Sequence, residues 1–411
     1  MTTPNQALQR LDYLDAVRAF ALLLGIVFHA SLSFLPVYIG WAVMDVSTSA
    51  LVGTFMLISH SFRMVLFFLV AGFFSHMTFH RKGAAGFLQS RFIRIVIPFV
   101  VGWFLLRPLL VSGWVMGMQS LRGEVAIIAS LKEGFNVFFG SLSTAFTGTH
   151  LWFLYYLLLA TTAVLLMRQL IAWHPRRYQK LTALADAVVH WLAHSRLAFI
   201  VAAIPTVACL WFMGHWGMDT PDKSLVPQWP VLFIYGGFFA LGWLLHRQGN
   251  VIEAFGRISV GKVFLGAVAI IAAVLLARVE GQSGHPQYLL IKALFLFSYA
   301  VMMWSLVALT IGAFKRLFNR PSKTVRYLAD SSYWLYLIHL PIVIWLQIAF
   351  AEIPWHWGVK LTLISGITIA VSLLLYDLLV RASVIGQVLN GGRKARVLFA
   401  CRRKAALASN T

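Results

Sequence analysis

Three polar side chains share one face of the first apolar segment. Asp15 and Arg18 are three residues apart, and His29 follows Arg18 by eleven residues. Residues three apart are neighbours on a helix, so Asp15 and Arg18 are expected to pair. At about 100° and 1.5 Å per residue, His29 lies about 20° around the helix and about 16 Å deeper. Because histidine accepts protons near neutral pH, His29 is a candidate general base. A packing histidine is the alternative.

A second histidine and two arginines lie in the next two apolar segments. His60 and Arg63 are one turn apart in LISHSFRMVLFFLVAGFF, and Arg107 directly precedes Pro108. No acidic residue is expected at the depth of either arginine, and an unpaired buried guanidinium is costly. Arg63 is therefore our first candidate for binding an anionic ligand, since its fork matches a carboxylate, and Arg107 is the second. Snorkelling or bonding to backbone carbonyls is the alternative.

Four further basic or imidazole side chains are weaker candidates. Arg91 and Arg94 lie one turn apart in SRFIRIVIP, where they would suit a phosphorylated ligand or simply mark the membrane edge. His150 in HLWFLYY and His339 in YWLYLIHLP lie among aromatic residues. Either histidine, taken alone, is more typical of a structural role.

Long apolar stretches must position these side chains. Of the 411 residues 60% are hydrophobic and 11% are charged, which excludes a soluble enzyme. We predict an all-α, polytopic membrane protein, since helices satisfy their own backbone in lipid. An ionisable group in a span costs at least about 2.5 kcal/mol, so each one needs a reason. The ten predicted spans are 14–36, 50–79, 93–118, 149–171, 197–215, 229–246, 263–278, 286–313, 331–351 and 358–380.

The distribution of basic residues predicts the orientation of these spans. When the connections are assigned to alternate sides, most of the 34 Lys and Arg residues fall on the side of both termini. The positive-inside rule then makes both termini cytoplasmic, and it explains the net charge of +21 without nucleic acid. We divide the chain into a transmembrane domain, 1–385, and a basic cytoplasmic tail, 386–411, expected to rest against anionic membrane lipid.

Several catalytic and metal-binding motifs are missing from the sequence. There is no GxxxxGK[ST] loop, no HExxH and no paired CxxC, so neither nucleotide-driven transport nor a metal site is predicted. The nearest approach to a nucleophile elbow, Gly281–His285, lacks the final glycine. A serine nucleophile is not expected.

The polar residues and their surroundings resemble a known family. LDAVRAFALLLGIVFH is similar to the first-helix signature of the membrane acyltransferase 3 family, and the Arg91 and Arg94 pair resembles its RxxR element. HSFRMVLFFLVAGFFSHM, RFIRIVIP, HLWFL and SSYWLYLIHLP, in that order, further resemble its glucans biosynthesis branch, which succinylates osmoregulated periplasmic glucans. In one departure, Ala71 stands where relatives usually carry a serine, so no role passes to a serine there.

The resemblance implies an O-acyltransferase of the bacterial inner membrane. The donor substrate would be cytoplasmic succinyl-CoA or another acyl-CoA, the acceptor a periplasmic glucan, and no cofactor would be bound permanently. The acyl-CoA phosphates are expected at Arg91 and Arg94, with the pantetheine arm reaching toward His29. Whether the protein forms a homo-oligomer stays open.

The resemblance also suggests roles within the bundle. His29 would act as general base on the glucan hydroxyl, while Arg18 and Asp15 fix the helix and the surroundings of the imidazole. The free carboxylate of the succinyl group is expected at Arg63. The remaining candidates for binding the acyl carboxylate or the acceptor are His60, Arg107, His150 and His339.

Two alternative functions remain at this point. An O-acetyltransferase of another cell-envelope sugar would use the same fold and base. A proton-coupled organic-anion transporter would also need buried histidine and arginine. Such transporters usually contain repeated halves with matching broken helices, and no such repeat is found in this sequence.

Overall fold

The protein is a bundle of helices. The computed structural model describes residues 11–120, 125–140, 147 and 149–398, and these residues contain no β-strand. The α-helices found in these ranges are α1 Asp12–Ser31, α2 Ala50–Arg91, α3 Ile97–Ser120, α4 Ile127–Gly140, α5 Trp152–Ala172, α6 Pro175–His194, α7 Ala198–Trp211, α8 Trp229–Arg247, α9 Val251–Phe255, α10 Val260–Leu276, α11 Tyr288–Leu317, α12 Lys323–Phe350, α13 Trp357–Leu375 and α14 Val384–Asn390.

The predicted all-α, polytopic membrane architecture is confirmed. Eight helical stretches of the described chain are long and apolar enough to cross a bilayer. One of them, Ala50–Ser120, runs for 71 residues and covers the second and third predicted spans. A single crossing needs only about 20 residues. The stretch is therefore long enough for two crossings, one by α2 and one by α3.

Two departures from α-helical geometry lie along this stretch, one inside α2 and one directly after it. Gly83 has φ +69°, which glycine adopts without a Cβ penalty. The segment Phe92–Val96 is π-helical, and it carries Arg94. Such single π turns are frequent at functional sites.

The fifth predicted span, 197–215, differs most from the observed helices. Its helix, α7, has only 14 residues, about 21 Å of helix. It meets the length and hydropathy needed for a span only together with α6, to which it is bent by 117°. The helix is short because the chain leaves helical geometry at Phe212, before the loop that contains Gly214 and Gly217.

The first helix lies inside the bundle. α1 packs against α2, α11, α12 and α13, and most extensively against α12. The tightest helix pair is α2 with α8, where Gly72 and Gly242 face the partner backbone so closely that a Cβ at either position would collide with it. Small residues allow such close approach between helices in membranes. α1 thus contacts both α2 and α12, the helices that carry His60, Arg63 and His339.

Candidate active site

His29 lies in the last turn of α1 with its ring half-buried. Its Nδ1 is 2.9 Å from Nε2 of His339 on α12, across 310 residues of chain. The other ring nitrogen of His339, Nδ1, lies 2.7 Å from the backbone carbonyl oxygen of Tyr336. The two imidazole rings are 5.1 Å apart at an interplanar angle of 25°. The structure thus joins two candidate histidines in one hydrogen-bonded chain.

Two residues that the sequence did not single out hold His29 in place. The Trp41 ring stacks nearly parallel to the imidazole, with a centroid distance of 6.0 Å. The buried Gln347 amide donates to the backbone carbonyls of His29 and Ala30, both at 3.0 Å, and accepts from Trp41 Nε1 at 2.9 Å. The His29 carbonyl also accepts from the backbone N–H of Leu32, so the amide adds a second hydrogen bond there and one at Ala30, at the end of α1 where helical partners run out. The only sequence signal was a lone amide in an apolar helix.

His150 joins the same group through a proline in α12. Pro341 has no backbone N–H, so the carbonyl of Leu337, four residues earlier, receives no helical hydrogen bond from it. His150 Nε2 lies 2.9 Å from that carbonyl and donates to it. The Tyr336 hydroxyl donates to the backbone carbonyl of His150 at 2.7 Å, and the His150 and His339 rings are 5.7 Å apart.

Arg63 is buried beside α1 without an acidic partner. Its side chain is 5% exposed, and its Cζ lies 4.4 Å from the centroid of the Phe28 ring. A Cβ at Gly25 would lie 2.9 Å from Arg63 Nη1, so the guanidinium occupies the space left by this glycine. No ion pair to Arg63 is present within the part of the chain that the structure describes, and its buried Nε has no hydrogen-bond partner there.

Two more polar groups near Arg63 are incompletely bonded. The His60 ring stacks on the Phe28 ring at 5.4 Å, and its Nε2 donates to the carbonyl of Met218 at 3.0 Å. Its Nδ1 and the Tyr235 hydroxyl are buried without partners among the described residues. Tyr235 lies within electrostatic range of Arg63 and is another residue that the sequence did not single out. Buried unpartnered polar atoms are rare in proteins and need an explanation, so these atoms beside Arg63 mark a candidate ligand site.

Arg91 and Arg94 lie where α2 gives way to the π-helical segment. The Arg91 guanidinium packs on Phe87, with Cζ 4.7 Å from the ring centroid, and its Nε has no partner among the residues described. The Tyr333 hydroxyl donates to the backbone carbonyl of Arg94 at 2.6 Å. These contacts tie the segment to α12, the helix that also carries His339.

Arg18 lies with these arginines and away from the candidate base. It forms the predicted ion pair with Asp15 at 3.2 Å, and it donates to the carbonyl of Ala329 on α12 at 3.1 Å. The charges of Arg18 and Arg81 both act on Arg94. Arg18 and Asp15 therefore lie at the end of α1 about 16 Å from the imidazole, where Arg18 bonds to α12 and adds its positive charge to that of Arg81 and Arg94.

Arg107 is bound elsewhere. It donates to the hydroxyl of Thr147, and its Cζ lies 5.4 Å from the Trp103 ring centroid. Trp103 Nε1 donates to the carbonyl of the same threonine at 3.0 Å. Of the two candidate arginines, the structure brings only Arg63 to the histidines.

The described part of the basic tail packs on the bundle near Arg94. Gly391, with φ +77°, lies against the Arg94 guanidinium. Lys394 Nζ is 2.5 Å from Asp330 Oδ2. Residues from 399 onward lie outside the described chain, and contact of the tail with lipid stays a prediction.

Known proteins similar to this chain agree with the resemblance seen in the sequence. The family described as acyltransferase domain, acyltransferase 3, matches residues 11–377. The chain is 28% identical over 338 residues to glucans biosynthesis protein C of Salmonella gallinarum, covering 81% of this chain and 82% of that protein. It is 27% identical over 338 residues to the protein of the same name from Salmonella paratyphi B, with the same coverage. No solved structure shows a significant match.

Proposed function

Since the chain belongs to the acyltransferase 3 family, we propose that it transfers a succinyl group from cytoplasmic succinyl-CoA to a hydroxyl of a periplasmic glucan. It is a multi-pass membrane protein, and we place it in the bacterial inner membrane. The names of its relatives support a glucan as acceptor. The observation that carries the proposal is the grouping of His29, His339 and the unpaired Arg63 around one end of α1.

His29 acts as the general base in this proposal. It takes the proton of the glucan hydroxyl as the hydroxyl oxygen attacks the thioester carbonyl of the donor. A C–O bond forms, and the C–S bond breaks when the tetrahedral intermediate collapses. The proton then passes from His29 to the departing CoA thiolate. The reacting atoms lie within the helical bundle, where the dielectric constant is low. Each polar contact with the transition state is therefore stronger than it would be in water.

The arginine cluster supplies the donor site at the other end of α1. Arg18, Arg81, Arg91 and Arg94 place several positive charges where the phosphates of acyl-CoA arrive from the cytoplasm. The long pantetheine arm then runs along α1 toward His29, while the acceptor approaches from the opposite face. The separation of about 16 Å along the helix gives the phosphates and the thioester distinct sites.

Arg63 gives the site its preference for succinyl. The succinyl group ends in a free carboxylate, and a guanidinium in a buried site binds a carboxylate strongly. No described acidic residue pairs with Arg63, so the carboxylate would supply the missing partner. The acetyl group of acetyl-CoA has no such carboxylate, so Arg63 does not strengthen its binding.

Purified protein in lipid nanodiscs with succinyl-CoA and linear glucan tests the proposal. We expect release of free CoA that depends on glucan, and glucan molecules whose mass increases by one or more succinyl groups. Acetyl-CoA in place of succinyl-CoA distinguishes an acetyltransferase. Uptake of labelled succinate into proteoliposomes without CoA release would instead identify a transporter and contradict the proposal.

A further inference from the structure

We propose that His339 is a positioning residue that fixes the tautomer of His29, so that Nε2 of His29 is the atom that receives the proton. The inference rests on the proposed function and adds an orienting group to it. It follows from the chain of hydrogen bonds that links His29, His339 and the Tyr336 carbonyl.

The Tyr336 carbonyl determines which atom donates in each of these two hydrogen bonds. A backbone carbonyl can only accept a hydrogen bond, so Nδ1 of His339, 2.7 Å from the Tyr336 oxygen, must carry a hydrogen. In a neutral imidazole the other nitrogen then has a lone pair, so Nε2 of His339 accepts. The hydrogen in the 2.9 Å contact between the rings therefore belongs to Nδ1 of His29. Nε2 of His29 is left with its lone pair.

The remaining contacts leave this lone pair free. Nε2 of His29 makes no hydrogen bond to any described residue, and the ring is half-buried, whereas His339 is 2% exposed. Trp41 stacks on the His29 ring, and Gln347 holds the backbone of His29 at the end of α1. The base thus presents one nitrogen to a substrate while its other nitrogen is occupied.

The same hydrogen bonds also stabilise His29 in its protonated, charged form. When Nε2 of His29 takes the hydroxyl proton, the imidazolium still donates from Nδ1 to Nε2 of His339. If that hydrogen moves across, His339 becomes the imidazolium and donates from both nitrogens, to the Tyr336 carbonyl and to Nδ1 of His29. The positive charge is then shared by two rings without a buried carboxylate. In serine proteases a carboxylate orients the histidine, and placing the wrong tautomer there lowers kcat about 10⁴-fold.

A pair of substitutions at one position separates orientation from packing. His339→Leu fills similar space but offers no acceptor to His29 Nδ1–H, whereas the amide oxygen of His339→Gln can accept. We expect His339→Leu to lower kcat for succinyl transfer at least about 100-fold, with KM for succinyl-CoA changed less than about threefold. His339→Gln should keep kcat within about tenfold of the parent. His174→Leu, at an exposed histidine, is the control and should match the parent.

Different failures have different meanings. Equal and severe loss of kcat in the folded Gln and Leu variants, or full activity in the Leu variant, would overturn the role of His339. ¹⁵N spectra of histidine-labelled parent protein, assigned by comparison with His29→Asn, do not depend on how the His339 variants fold. They should show His29 protonated at Nδ1, and protonation at Nε2 would also overturn the inference. Full activity in His29→Ala would instead remove the proposed general base itself.

Discussion

Two buried cations in this protein have opposite surroundings. Lys360 on α13 is fully buried, and its Nζ lies 2.6 Å from Oδ1 of Asp45, which is also bonded to the backbone N–H of Ser47 at 2.7 Å. Arg63 on α2 is almost as deeply buried, but no acidic group among the described residues pairs with it. One buried charge is neutralised by an acidic residue of the protein, and the other has no acidic partner among the described residues.

The paired charge holds a loop in position. Asp45 lies in the connection between α1 and α2, and Val46 and Ser47 of this connection bond to Ala351 and Trp357 at the α12–α13 turn. Burial raises the pKa of the Asp45 carboxyl although Lys360 is adjacent, because desolvation outweighs the attraction. Buried ion pairs of this kind often add little net stability compared with apolar residues of similar size. The comparison teaches that the buried pair serves geometry, whereas the unpaired Arg63 is free to serve the carboxylate binding that we propose for it.

The largest effect on activity is expected at His29, the proposed general base. His29→Ala should lower succinyl transfer about 10²–10⁴-fold, the range over which a general base acts. The thermal unfolding temperature in detergent should fall only modestly, because the change removes the hydrogen bond to His339 but breaks no ion pair. Glucan-dependent CoA release and thermal unfolding, measured on the same preparation, test both expectations. If activity fell only in proportion to the amount of folded protein, His29 would have a structural role like that of the Lys360 pair.

Breaking the Lys360 pair should have the opposite pattern. Lys360→Met leaves the Asp45 carboxylate buried and unpaired, so it should reduce the free energy of unfolding by about 3–5 kcal/mol. The double variant Lys360→Met with Asp45→Leu removes both charges and should recover most of that loss. Unfolding in mixed micelles measures both changes. A double variant as unstable as the single one would mean that the pair contributes stability of its own.

Arg63→Met tests the unpaired cation in the way that Lys360→Met tests the paired one. It removes an unpaired buried charge, so the free energy of unfolding should be unchanged or higher. The kcat/KM for succinyl-CoA should fall about 10–100-fold, whereas any acetyl transfer should change less than about threefold, because only succinyl has the carboxylate. Arg107→Met, at an arginine already bonded to Thr147, is the matched control. Equal loss with both donors would remove the assignment of the carboxylate to Arg63.

The smallest effect is expected at the glycine that faces Arg63. In Gly25→Ala the new Cβ would lie 2.9 Å from Nη1, so the guanidinium must shift by a few tenths of an ångström. We expect KM for succinyl-CoA to rise about threefold, with kcat for acetyl transfer unchanged. Gly53→Ala is the control, since its Cβ would make only an ordinary contact at 3.9 Å. An unchanged KM in Gly25→Ala would indicate that the position of Arg63 does not limit donor binding.

Much of the candidate site was predictable because lipid makes polar residues conspicuous. His29, His60, Arg63 and His339 interrupt apolar helices, and each was identified without a fold. The role that we propose for His339 was not predictable, because it depends on contact with a ring 310 residues away. Residues of common type, such as Gln347, Trp41 and Tyr235, give no comparable signal. Arg18 was placed correctly beside Asp15, but its membership of the arginine cluster required the packing of α1 against α2 and α12.

The sequence by itself determined that this is a helical membrane protein and which polar side chains lie within its spans. Both follow from local rules, since each apolar stretch must satisfy its own backbone in lipid and each ionisable residue within it is costly. Only the tertiary structure decided which of those side chains meet, which nitrogen of His29 contacts His339, and which buried cation has an acidic partner. These outcomes depend on distances of about 3 Å between atoms on different helices, and no local pattern of residues specifies them.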